Sequence, residues 1–481
     1  MTLAEWTSLG PFIVLSAAPI VVMVAIAFGR HHRFTVGLTL LGLGAALASL
    51  PAVAPATPQA PAGLLVINGF TLFVIGLLAA ASAAVALLAY GYLEARREQR
   101  EEFYVLLLLA TLGAAVLAAS RHFISFFLGL EILTISLYAL IAYPRDDRRN
   151  FEASAKYLVL AGTASAILLF GLALLYAATG TMDFSGLAQA AAAAPSGVGG
   201  WLLAGLSLLM AGVGFKLALV PFHLWAPDIY EGAPAPVAAL VATISKGSVV
   251  AWLLRFMLYA NLRASAPFFA ILSLIAVVSM FGGNLLALFQ NNVKRLLAYS
   301  SISHLGYVLV ALLASGDLAA SAVTLYLVAY FVTNLGAFGV VTLLSSAERE
   351  AEHFADYTGL FWRRPWLAGV LTAMLFSLAG IPLTAGFVGK FFLVMAGAGS
   401  ALWGLVVALV LSSVIGLFYY LRLIVTMYLP AAQPRAASAG LARPLAGMVA
   451  LAGLAVLLVW LGLFPDAVIN LINAAVASLA G

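Results

Sequence analysis

Seven titratable side chains stand in apolar surroundings where a charge is costly: Glu131, Lys156, Lys216, His223, Lys246, His304 and Lys390. Glu131 lies in Phe127-Leu128-Gly129-Leu130-Glu131-Ile132-Leu133, and Lys246 in Thr243-Ile244-Ser245-Lys246-Gly247-Ser248. Lys216 stands five residues before Pro221, and Lys390 eight residues after Pro382. An ionised group at mid-bilayer costs about 2.5–3.5 kcal/mol on insertion scales, so such residues pair, line water or do chemistry. Burial disfavours an ammonium and a nearby carboxylate favours it. A buried lysine whose carboxylate partner comes and goes can therefore take up and release a proton near neutrality. Imidazole relays protons in the same range.

Each residue also has a plainer reading. Glu131 can clip helices together, each lysine can sit in a static ion pair, and each histidine can be a hydrogen-bonded core residue. Lys156 can be part of the proton wire or a side chain snorkelling to the interface. One deep Glu cannot neutralise three deep Lys, which favours titration over static pairing. No metal-ligand spacing joins His223 to His304. A series of buried titratable groups fits proton movement better than a facilitator's pore.

The elements that must hold these groups are membrane helices. Of 481 residues 64% are hydrophobic and only 9% charged, with mean hydropathy +1.11. Soluble domains carry about 25% charged residues, so a bilayer must be the solvent. The absence of cysteine excludes thiolate-held iron–sulfur clusters, Cys-ligated zinc and disulfides in this chain. The net charge of +5 gives no sign of a nucleic-acid partner, and no dinucleotide or P-loop fingerprint occurs. The first charged side chain is Glu5 and the apolar run from Pro11 to Gly29 is of spanning length, which reads as a retained first helix rather than a secretory signal.

Runs of roughly 20 apolar residues predict helices near 11–29, 34–53, 66–92, 103–120, 122–143, 153–178, 200–225, 235–258, 266–289, 293–313, 318–345, 366–397, 401–428 and 445–464. The tail from Phe464 is amphipathic, suited either to the interface or to extending helix fourteen. Four of the 23 Lys and Arg fall within helices (Lys156, Lys216, Lys246 and Lys390), leaving 19 in loops or near helix ends. Loops after odd-numbered helices hold sixteen of the rest, and the opposite side holds Arg121, Arg255 and Arg263. By the positive-inside rule the odd loops are cytoplasmic and both termini face the other side.

Leu217-Ala218-Leu219-Val220-Pro221 in helix seven resembles Leu378-Ala379-Gly380-Ile381-Pro382 in helix twelve, five helices on. An odd offset reverses orientation, so this is the mark of an inverted repeat. The two prolines free backbone carbonyls and predict breaks. The expectation is an all-α integral membrane protein of about fourteen transmembrane helices, with inverted five-helix repeats (helices 4–8 and 9–13) and broken helices 7 and 12. The divisions are 1–102 (three helices), 103–258 and 259–428 (the two repeats) and 429–481 (helix fourteen and tail).

Gln290-Asn291-Asn292-Val293-Lys294-Arg295-Leu296-Leu297-Ala298-Tyr299-Ser300-Ser301-Ile302-Ser303-His304-Leu305-Gly306-Tyr307 closely resembles the helix-ten signature of the antiporter-like subunits of respiratory complex I. Phe215-Lys216-Leu217-Ala218-Leu219-Val220-Pro221-Phe222-His223-Leu224-Trp225-Ala226-Pro227-Asp228 resembles their helix-seven motif. The resemblance covers nearly the whole chain. Within that family the length matches fourteen helices, whereas the L type carries a long lateral helix beyond them, and Lys390 stands where the M type has a glutamate. Tyr357-Thr358-Gly359-Leu360-Phe361-Trp362-Arg363-Arg364-Pro365 resembles the third type.

The resemblance implies a proton-translocating subunit of a bacterial inner-membrane NADH–quinone oxidoreductase, with periplasmic termini. Glu131 and Lys216 would be the coupling pair, Lys246 the central lysine and Lys390 the exit-side lysine, with His223, His304 and Lys156 along the connecting path. NADH, flavin, iron–sulfur clusters and quinone would belong to other subunits and none to this chain. M and K type subunits would flank it. The alternatives are a subunit of a multi-subunit sodium–proton antiporter, for which one deep carboxylate is a thin cation site, and a structural subunit with an inactive proton path.

Overall fold

A computed structural model describes residues 2–96, 100–143, 148–193, 199–430 and 445–479. Arg97, Arg145, Arg435 and Arg443, used in the loop count, lie outside the described residues. Among the described residues, thirteen helices are long and apolar enough to cross a membrane. They are α1 (Gly10–Phe28), α2 (His32–Ala56), α3 (Gly69–Arg96), α4 (Glu102–Ala119), α5 (Phe123–Ile141), α6 (Arg148–Thr179), α7a (Gly199–Leu217), α8 (Ala235–Tyr259), α9 (Ala266–Leu288), α10 (Val293–Leu313), α11 (Leu318–Leu344), α13 (Trp403–Tyr428) and α14 (Leu445–Leu463). The fourteenth span is split into α12a (Pro365–Ala379) and α12b (Ala385–Gly399). A short α7b (Trp225–Gly232) continues α7a beyond its own break. The protein is thus a multi-pass membrane protein in which both proline-marked helices are interrupted. The tail does not extend α14 but forms a separate helix, Asp466–Ala477, which begins after Pro465.

Burial separates a core from a lipid-facing ring. The most apolar windows of α8, α10 and α11 are 100%, 100% and 94% enclosed by protein, while those of α1, α2 and α14 are 33%, 28% and 28% enclosed. An enclosed helix carries a mid-span cation without exposing it to lipid tails, and Lys246 and His304 lie on the enclosed α8 and α10.

The two five-helix sets are built alike. Each opens with a hairpin whose backbones touch at glycine. A Cβ on Gly113 of α4 would lie 2.6 Å from the Leu133 nitrogen of α5, and one on Gly283 of α9 would lie 2.7 Å from the Ser303 nitrogen of α10. Small residues permit this approach, which dispersion between membrane helices rewards. In each set the fourth helix is the broken one: α7 in the first, α12 in the second.

Candidate functional site

The breaks leave backbone groups that the lipid cannot satisfy, and each is met inside the protein. At the first, Ala218 has φ +57, Leu219 N–H bonds to Gly214 O at 2.8 Å and Val220 N–H to Ser279 Oγ at 3.0 Å. The Trp225 indole donates to Phe215 O at 2.8 Å. At the second, Gly380 adopts φ +85, a left-handed value that glycine allows without strain, and Thr384 caps α12b. The Lys390 ammonium covers the freed end of α12a, donating to Leu378 O at 2.8 Å, Ala379 O at 3.1 Å and Ser413 Oγ at 2.7 Å. Lys216 occupies the last turn of α7a. Both lysines therefore stand at the negative, C-terminal end of a half-helix. Such a position favours a cation by about 0.3–1 kcal/mol, up to ~2 when partly buried. This is how deep lysines are tolerated without a carboxylate each.

Glu131 and Lys216 lie near each other but are not joined. The Lys216 ammonium, buried at 4% exposure, donates to Thr134 Oγ1 on α5 at 2.6 Å. Glu131, one turn back on the same helix, accepts from Ser165 of α6 at 2.6 Å. Glu131 and Lys216 are thus each held by a neutral hydroxyl.

Lys246 is 1% exposed and directly follows a π-helical turn, Val241–Ser245. It donates to Ser301 Oγ at 2.6 Å and lies 5.3 Å from the Tyr230 ring centre. Tyr330 of α11 donates to the same Ser301 oxygen at 2.7 Å. His304 hydrogen-bonds Tyr326 through Nδ1 at 2.7 Å and Tyr420 through Nε2 at 3.2 Å. A cavity with room for about one water (≈ 10 Å³) is lined by His304, Tyr326, Tyr330, Ser377 and Lys390, among others. Lys246, Ser301, Tyr330, His304 and Lys390 thus form one buried polar line from α8 to α12b. His223 is buried in the first break, between α7a and α7b. Lys156 stands apart: its side chain is 45% exposed and pairs with Glu152 at 2.8 Å and Asp228 at 3.3 Å, in a network that Arg295 extends to Glu231.

The family model described as "NADH:quinone oxidoreductase/Mrp antiporter, TM" matches residues 120–416, a span that contains all seven candidate residues. NADH-quinone oxidoreductase subunit N of Chromohalobacter salexigens is 48% identical over 98% of this chain and 99% of its own length. The chain belongs to the NADH-quinone oxidoreductase subunit N family. A chain of respiratory complex I from Thermus thermophilus matches with TM-score 0.82 and 32% identity, covering 96% of this chain and 99% of that one. A chain of the Mrp complex from Dietzia sp. DQ12-45-1b matches with TM-score 0.86 at 21% identity over 100% of this chain and 98% of that one, a likeness of fold alone.

In this subunit N family chain the hydroxyl partners of the buried charges carry no mark in the sequence. Thr134, Ser165, Ser301 and Ser413 look like ordinary helix hydroxyls. Tyr326, Tyr330 and Thr333 did leave a signal, since spacings of four and three put them on one face of α11. Glu350 was missed too. In the loop before α12 it accepts from Tyr92 at 2.5 Å and from Ala235 N–H at 2.9 Å, and pairs with Lys294. It ties α3, α8 and α10 together.

Proposed function

We propose that this chain translocates protons as a membrane-arm subunit of an NADH:quinone oxidoreductase, with quinone reduction taking place elsewhere in the complex. The observation that carries the reading is the buried line from Lys246 through Ser301 and Tyr330 to the cavity shared by His304 and Lys390. In the scheme, Glu131 leaves Ser165 and closes on Lys216, or opens from it, in response to events elsewhere in the complex. At 4 Å and an effective dielectric near 20, opposite charges interact by about 4 kcal/mol, enough to move a lysine's proton affinity by more than a hundredfold.

Lys216 passes its proton toward Lys246, and the hydroxyl and imidazole groups carry it on to Lys390, which discharges at the far side. His223, in the first break, and Lys156, beside Asp228, lie toward the uptake mouth on the odd-loop face. That face is cytoplasmic in this reading and both termini are periplasmic. M and K type subunits flank the chain, and the redox groups are theirs or other subunits', not this chain's. The first repeat, 103–258, holds the uptake half and the second, 259–428, the discharge half.

The test is proton uptake by proteoliposomes carrying the complex. Glu131→Ala and Lys216→Ala should abolish this subunit's share of the protons moved per electron pair. An unaltered ratio in either variant retires the scheme, and a sodium-dependent activity without redox centres redirects it to the antiporter class.

A further inference from the structure

The last helix of each five-helix set carries an arginine at an equivalent place: Arg255 stands 20 residues after the start of α8, and Arg422 stands 19 after the start of α13. Because the sets run in opposite directions, the two guanidiniums end on opposite faces of the membrane. Arg255 lies toward the even-loop face, beside the residues that lead into α3, and Arg422 toward the odd-loop face, beside the residues that follow α9. Neither is paired with a carboxylate among the described residues. Arg255 is fully buried, donating to Thr71 Oγ1 at 2.7 Å, Val66 O at 3.4 Å and Asn68 Oδ1 at 3.5 Å. Arg422 donates to Leu288 O at 3.0 Å and to Gln290 O. Each retains a buried Nε without a hydrogen bond. Each also lies over a phenylalanine, Arg255 at 5.7 Å from Phe70 and Arg422 at 4.6 Å from Phe354.

An unpaired buried cation is costly, so a fully enclosed Arg255 met only by neutral oxygens, repeated at the half-buried Arg422, requires explanation. Beside Arg255 the even-loop end of the first set is also packed shut by aromatic rings. Trp252 stacks between Phe126 and Phe256 at 4.0 and 4.9 Å, and Phe184 closes on Phe256 at 5.2 Å.

We propose that Arg255 and Arg422 are a pseudo-symmetric pair of electrostatic plugs. Arg255 closes the first half-path toward the even-loop face and Arg422 closes the second toward the odd-loop face, so a proton on Lys246 has only the lateral route to Lys390. The idea rests on the proton-transfer reading above. Arg255 is nine residues beyond Lys246 on one helix, ~13 Å away by helical rise. At that distance and an effective dielectric of about 20, a fixed positive charge already disfavours proton occupancy by roughly tenfold, and more on closer approach. Guanidinium suits this task because it does not deprotonate.

The experiment uses the whole complex in proteoliposomes, with passive proton leak under an imposed potential and protons moved per electron pair as readouts. Arg255→Met and Arg422→Met keep the stem and remove the charge. Each should raise the leak roughly tenfold and lower the ratio, while NADH–quinone turnover with uncoupler is retained. Arg255→Lys and Arg422→Lys should stay tight. Adding Lys246→Ala to Arg255→Met should suppress the leak, because that lysine feeds it. Met variants as tight as the wild type overturn the inference, as do Lys variants that leak as much as Met. Lys246→Ala alone decides the underlying reading: an unchanged ratio there removes proton transfer itself, whereas a lowered ratio with tight Met variants removes only the plugs.

Discussion

Lys216 of α7a and Glu131 of α5 are held apart, the ammonium by Thr134 of α5 at 2.6 Å and the carboxylate by Ser165 of α6 at 2.6 Å. The two hydroxyls stand on neighbouring helices, α5 and α6, and each holds one of two opposite charges, so in the proposed scheme the pair is the two-state element: each charge exchanges its hydroxyl for the other charge.

Thr134→Val should therefore bias the pair closed. A hydrogen bond to a charged group contributes about 1.5–3 kcal/mol, so the open form should lose at least roughly tenfold in population. Proton pumping per NADH oxidised, followed by a pH-sensitive dye, should fall accordingly. A Thr134→Ser variant, which keeps the oxygen, should pump as the wild type does; a normal ratio in Thr134→Val refutes the bistable pair.

Tyr330→Phe keeps the ring and removes only the hydroxyl that meets Ser301. The relay between Lys246 and the His304–Lys390 cavity should then break, and pumping through this subunit should drop by about tenfold or more, a loss of the size general acid–base groups supply. Tyr176→Phe, on half-exposed α6 surface, is the control and should be silent. Equal pumping in both variants would place the path elsewhere.

Glu350 sets an acid limit on stability. Burial pushes its proton affinity up, but the Lys294 charge and the hydrogen bonds from Lys294, Tyr92 and Ala235 outweigh it and hold the carboxyl below its ordinary 4.5. A carboxyl depressed in the folded state stabilises above its unfolded pKa, and that contribution is lost as pH falls through the folded value. Thermal unfolding of the complex in detergent should be insensitive to this group from pH 7 down to about 4.5 and should worsen below it. Glu350→Gln leaves Lys294 buried and unpaired, which costs about 3–5 kcal/mol at neutral pH, and it should flatten the acid limb. An undiminished acid limb in Glu350→Gln would assign it to other carboxylates.

Gly113→Ala pits two effects against each other. Ala gains about 1 kcal/mol over Gly inside a helix, but the new Cβ would stand 2.6 Å from Leu133 N and 2.9 Å from Gly129 O, both backbone atoms. Overpacking of that kind costs about 1–3 kcal/mol, so the clash should win and the midpoint of thermal unfolding should fall. Gly369→Ala, with nothing within 4 Å, should be neutral or slightly stabilising in the same assay. A Gly113→Ala midpoint at or above the wild-type value would show that the α4–α5 hairpin can spread.

The spans, the two broken helices and the titratable residues could all be read along the chain. Apolar run length, proline position and an isolated charge are local signals, and the cost of a charge in hydrocarbon makes each charge conspicuous. Residues 101–143 and 266–313 were already separable into adjacent helices because polar residues interrupt them. The partners were not legible. Thr134 and Lys216 are 82 residues apart, and Lys246 and Ser301 are 55 apart. A membrane helix carries many hydroxyls, most of which bond back to their own backbone, as Ser136 does to Ile132 O. Which hydroxyl faces a lysine depends on helix rotation and crossing, set by contacts such as Gly113 against Gly129.

The same limit explains Lys156 and Arg255. Lys156 stands eight residues into α6 and Arg255 four residues before the end of α8, so by chain position Arg255 is the nearer to a helix end. Folding separates them: Lys156 meets Asp228 and solvent, whereas Arg255 is enclosed by the residues leading into α3. Sequence alone decided that this chain crosses the bilayer about fourteen times and that Glu131, Lys216, Lys246 and Lys390 lie deep in its spans, because hydrophobic transfer is additive along the chain. Tertiary structure alone decided that Glu131 and Lys216 are each held by a hydroxyl, and that Lys246, Ser301, Tyr330, His304 and Lys390 share one line, because hydrogen bonds require a few ångström and fixed direction, which only packing of separate helices supplies.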